Sequence, residues 1–138
     1  FGVTLRTIRR HPIAFLKANL TFRLWHIVGT PDLARRRLFG TAMSEGELHR
    51  HFGRLQDESY LAYLDMILRR PRPWSVDSPV LVIAGTHDGI FTIDEMQATA
   101  RAYGAEPVMI PGGVHDLMLD ARWMEMGTTI QDWINRSR

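Results

Sequence analysis

Apolar residues dominate residues 10–28, where Ile13, Phe15, Leu16, Leu20, Phe22, Leu24, Trp25, Ile27 and Val28 leave few polar gaps. That density predicts one helix covered on most sides, ending at Gly29. Thr30 followed by Pro31 supplies a helix cap and a proline at the first helical position, opening a short basic helix that closes near Gly40. Ser44 with Glu47 three residues on is a capping box and starts another helix. From about Gln56, the residues Tyr60, Tyr63, Leu64, Ile67 and Leu68 recur at three- and four-residue spacing and stop before Pro71 and Pro73. Residues 70–74 then read as a linker.

The period changes after Ser78 and Pro79. Residues 80–84 are continuously apolar and rich in β-branched side chains, as in a parallel strand buried on both faces. Residues 85–89, GTHDG, end it. A helix is expected over residues 93–103, closed by Gly104, and a second strand over 106–110. Pro111, Gly112 and Gly113 make a turn, and residues 116–136 are expected to be helical, with Gly127 marking a break or kink. Strand, helix, strand and helix in this order imply parallel pairing.

The chain has 138 residues, 45% of them hydrophobic, and no cysteine. Disordered, collagen-like and disulfide-stapled classes are thereby excluded. Lys17, Arg23 and His26 interrupt the longest apolar stretch, which argues against a bilayer span of about 20 uncharged residues. Charge is unevenly spread: residues 1–72 hold thirteen Lys and Arg against six acids, and residues 73–138 hold four against nine. Sixteen of the seventeen bases are Arg, including Arg35, Arg36 and Arg37 in a row. A guanidinium-rich face suits phosphate or anionic lipid, but a solvated face complementing the acidic half is the favoured reading. No nucleic-acid motif is present, and no nucleic-acid partner is expected.

Ligands of open α/β sheets bind beyond the carboxyl ends of the strands. Asp88 follows the first strand and His115 follows the second. An aspartate that accepts the Nδ1 proton of a histidine fixes the ring's tautomer and stabilises the imidazolium, leaving Nε2 to act as a base. Spacing alone supports this pairing weakly, because Asp and Gly also serve loops as turn residues.

The wording around these residues carries more. PVLVIAGTHDGIF (79–91) and IPGGVHDLMLD (110–120) closely resemble the C-terminal part of α/β-hydrolase-fold enzymes, most of all the lysophospholipases and esterases with a helical cap. The resemblance covers residues 79–134. It implies an α/β fold with a parallel sheet flanked by helices, preceded by a helical cap: residues 1–73 as cap or lid, residues 74–138 as the C-terminal part of the core. It also implies that Asp88 is the triad acid and His115 the triad base. In that family the nucleophile comes first, on a G-x-S-x-G turn. The chain has no such motif: Ser44 reads as a cap, Ser59 as inside a helix, Ser75 and Ser78 as linker, and Ser137 as tail. The oxyanion-hole loop is absent too. The chain therefore reads as part of a longer protein, or as one piece of a nicked one, in preference to a noncatalytic remnant, and the N-terminal half becomes an expected partner.

The function implied is a serine hydrolase acting on a carboxylic ester with an apolar acyl or alcohol part, with a small-molecule ester or lipid as substrate and no cofactor or metal. Separately, the lack of cysteine and of a signal-like segment fits a cytoplasmic protein. Alternatives are a C–C bond hydrolase, a haloperoxidase-like member of the fold, or a noncatalytic binding module. The basic helices suit peripheral contact with anionic lipid. His87 with Asp88, and His115 with Asp116, would suit zinc or iron. The resemblance already accounts for His115, and Asp116 is expected to cap the last helix. His49 and His51 point apart on a helix and read as surface. Met109, Met118, Met124 and Met126 read as core filling more than as a lipid pocket. Phe15, Phe22 and Trp25 fit an acyl wall or cap core equally well. Trp74 is expected to shield the site or to close the hinge.

Overall fold

The computed structural model describes residues 2–69 and 71–137, without the side chains of Val3 and Arg10. Arg70, the expected start of the linker, lies outside the described residues. Two units are formed: Phe1–Arg35 with Ser44–Pro71, and Arg36–Met43 with Arg72–Arg138.

The first unit is helical: α1 (Gly2–Arg10), α2 (Pro12–Thr21), α3 (Trp25–Val28), α4 (Pro31–Ala34), α5 (Glu45–Phe52) and α6 (Tyr60–Leu68). The single helix expected over residues 10–28 is instead α2 and α3, separated by a corner. Phe22 takes a left-handed conformation at φ 54°, and the N–H of Arg23 returns to the Ala18 carbonyl. Asp57 holds the corner from a distance, accepting Arg23 Nε at 2.7 Å on one oxygen and the Trp25 N–H at 3.0 Å on the other. A remote carboxylate thus supplies the cap that the local sequence of α3 lacks.

Nor is α2 covered on most sides, since only Ala18 among its residues is buried. Around Ala18, the unit buries Ala34, Leu48 and Tyr60, and the Tyr60 hydroxyl donates to Asn19 Oδ1 at 2.5 Å. Tyr60 also meets the edge of Phe22 at 5.2 Å, and Trp25 leans on Phe52 at 5.7 Å.

Thr30 caps α4 as expected, accepting the Leu33 N–H at 3.2 Å, and the Ser44–Glu47 capping box is complete. The basic helix continues past α4 as a π-helical turn, Arg35–Phe39. Ser59 caps α6 by accepting the Ala62 N–H, so that helix begins at Tyr60 and the hydroxyl is not inside it.

The second unit is a small α/β arrangement. β1 (Val82–Gly85) pairs in parallel with β2 (Pro107–Ile110), in the register Val82 to Pro107 and Gly85 to Ile110. Between them α7 (Ile93–Ala102) packs on both strands, and α8 (Trp123–Arg136) closes the chain. β1 starts two residues later than the expected 80–84 and extends one beyond it to Gly85, while β2 starts one residue inside the expected 106–110. Thr92 and Glu95 form a second capping box at the start of α7, and Gly104 ends it at φ 67°. Val82, Ala84, Ala100, Ile110, Val114 and Leu117 are buried, joined by Phe39.

Two expectations for the last helix are corrected. α8 begins at Trp123, not at residue 116, because residues 116–122 are taken up by turns that Asp120 organises. Asp116 does not cap it; its N–H donates to the Leu38 carbonyl. Gly127 lies within unbroken helix.

Candidate functional site

The parallel register brings the carboxyl ends of β1 and β2 side by side, so the loops that follow them are neighbours. Backbone hydrogen bonds fasten one loop to the other. Thr86 N–H donates to the Ile110 carbonyl at 3.0 Å and His87 N–H to the Gly113 carbonyl at 2.8 Å, while the Thr86 hydroxyl accepts Gly112 N–H at 2.7 Å. The approach is so close that a Cβ on Gly85 would stand 2.1 Å from the Gly113 oxygen. Only glycine fits there.

Asp88 projects from the first loop. One carboxylate oxygen accepts the N–H groups of Ile90 at 2.7 Å and Phe91 at 2.9 Å, an Asx-type turn that fixes the carboxylate plane. The other lies 2.9 Å from His115 Nδ1. The Asp88 side chain is 7% exposed and that of His115 is 29% exposed, so the carboxylate is shielded while the imidazole reaches solvent. Phe91 flanks the ring at 5.6 Å. Burial by itself pushes the Asp88 carboxyl upward. Hydrogen bonds from His115, Phe91 and Ile90, with the attraction of a charged His115, outweigh it and hold the group below its ordinary value. A carboxylate that stays ionised here favours the Nδ1–H tautomer and leaves Nε2 unengaged among the described residues.

Two contributions escaped the sequence reading. Asp120, 7% exposed, accepts Val114 N–H at 3.3 Å on one oxygen, and on the other the N–H and Nη1 of Arg122 at 2.8 and 3.1 Å. It therefore ties down the residue preceding His115. The available signal was an aspartate placed two residues before an arginine at a helix entry.

The second is the segment Arg36–Met43, expected in the cap but belonging to the same unit as the dyad. Gly89 lies against the backbone of Arg36 and Arg37, where a Cβ would come within 2.3 Å of the Arg36 oxygen. Gly40, at φ 73°, lies against Val114. Burial, then the neighbouring Arg36, lowers the pKa of Arg37.

Other candidates are not drawn in. His87 and Trp74 are exposed, and Trp74, at 82%, does not shield the dyad. Met118 and Met124 are exposed as well, so the core reading fails for both. Among the described residues no group of three or more His, Cys, Asp or Glu is placed to hold a metal. Ser44 and Ser59 are helix N-caps, Ser75 ends a 3₁₀ turn, Ser78 lies in a bend and Ser137 caps the end of α8. None stands on a strand-to-helix turn.

No helix among the described residues is long and apolar enough to cross a membrane. No family model, no curated protein and no solved structure matches the chain.

Proposed function

We propose that the second unit supplies the acid and base of an α/β-hydrolase-type serine hydrolase acting on a carboxylic ester with an apolar part. The observation that carries this reading is the 2.9 Å contact between Asp88 and His115 Nδ1, formed by a carboxylate already oriented by two backbone N–H groups. His115 Nε2 takes the proton of a serine hydroxyl as the hydroxyl attacks the ester carbonyl, and Asp88 stabilises the imidazolium so formed. The proton then passes to the departing alkoxide, and water releases the acyl group by the same route reversed. The serine comes from a polypeptide segment other than this chain, whose five serines all serve caps, turns and tail. The helical unit would select the substrate.

A fluorophosphonate probe, which forms a bond only with an activated serine, tests this on the native material. The expected result is labelling of a serine on a G-x-S-x-G segment, slowed by roughly 10²–10⁴-fold when His115 is changed to Ala. Labelling indifferent to His115 would overturn the reading.

A further inference from the structure

The first 31 residues hold five Lys and Arg and no acid, the first being Asp32. On α2 the residues Ile13, Leu16 and Leu20 are 71%, 58% and 70% exposed, at the spacing of one helical stripe. Lys17 sits inside that stripe, four residues after Ile13 and three before Leu20. An apolar stripe with a single long cation embedded in it is unsuited to a dry protein core, where the ammonium would lose its water without a partner. It suits a bilayer interface, where the alkyl stem lies among acyl chains and the charge rises to the headgroups.

Two features of the same unit extend the pattern. An open groove of about 450 Å³ borders the stripe through Ile13 and Lys17, and brings His11 and His26 to its walls, so its polar side chains are all nitrogen bases. On α1, Leu5 and Ile8 are exposed at three-residue spacing beside exposed Arg9.

We infer that α1 and α2 form a peripheral docking face for an anionic phospholipid bilayer, with a headgroup phosphate seated in the groove beside Lys17. Charge complementarity selects this occupant. A leaflet of anionic lipid presents negative charge above apolar chains, matching bases set among exposed leucine and isoleucine. Binding is measured without turnover, so this inference and the hydrolase reading fail separately.

The test is co-sedimentation of the chain with phosphatidylcholine vesicles, with and without phosphatidylglycerol. The expected result is binding to the mixed vesicles only, lost at about 1 M salt, where the screening length falls to ~3 Å. Lys17→Gln should weaken partitioning about fivefold. The double change Leu16→Ser with Leu20→Ser should weaken it by about a hundredfold while the far-UV spectrum stays unchanged, since both side chains are exposed. Equal binding to pure phosphatidylcholine, no binding to either vesicle, or binding that neither variant weakens overturns the proposal.

Discussion

Oδ2 of Asp120 accepts the backbone N–H of Val114, the residue before His115, while Oδ1 holds the N–H of Arg122. One buried carboxylate thereby sets both the end of the histidine loop and the start of α8. Asp120→Ala leaves the Val114 N–H buried without this acceptor, at a cost of about 2–3 kcal/mol. Urea unfolding should show a lowered midpoint, and amide exchange at Val114 and His115 should quicken more than at β1. Unchanged exchange at His115 would show that the loop is held by other means.

Asp88 contributes to stability in a pH-dependent way. Its carboxyl is held below the ordinary value when folded, so the unfolded chain binds the proton more readily. The contribution is complete above the ordinary carboxylate pKa of about 3.9 and is lost as pH falls through the lower folded value. Unfolding of the native chain and of Asp88→Asn should therefore differ most near neutrality, and the gap should narrow on acidification below about pH 4. A gap that widens in acid would refute the assignment.

Glycines at two positions should respond in opposite directions. Gly85→Ala drives a Cβ into the Gly113 carbonyl, backbone that cannot rotate away, and should cost upwards of about 3 kcal/mol or prevent folding of the second unit. Gly127→Ala meets nothing within 4 Å in the middle of α8 and should stabilise by about 0.5–1 kcal/mol. Thermal midpoints of the two variants decide the matter.

At the α2–α3 corner, Asp57→Ala removes the acceptor of both Arg23 Nε and the Trp25 N–H. Faster exchange at the Trp25 amide is expected, with β1 and β2 unaffected. The folded Asp57 carboxyl is also lowered, first by its hydrogen bond from Arg23, so acid should loosen the corner in the native chain as well.

What could be read in advance divides along a physical line. Thr30, Ser44 and Gly104 act through bonds and dihedrals within a few residues, and all three do what their local sequence implies. The buried strand and the Asp88–His115 pairing were also legible, the strand from its apolar run and the pair from the wording of the loops. The corner at Phe22 was not, because its cap comes from Asp57, and no local period records a remote carboxylate. Exposure of Ile13, Leu16 and Leu20 was hidden for a related reason: apolar spacing shows that a face is apolar, not what covers it. Asp120 ends the stretch 110–120, yet two of its three partners are backbone N–H groups, which every residue but proline carries.

The segment Arg36–Met43 imposes an order on synthesis. It interrupts the helical unit in sequence, while its partners Gly89, Val114 and Asp116 all emerge much later. At roughly 5–20 residues per second the interval is several seconds, long against the time in which helices form. The helices on either side of the segment can therefore assemble first and hold it out as a loop, its Leu38 carbonyl hydrated until the N–H of Asp116 replaces the water. A second unit excised as residues 72–138 alone would lack this piece of its own interior, so the smallest autonomous version must carry residues 36–43 as well.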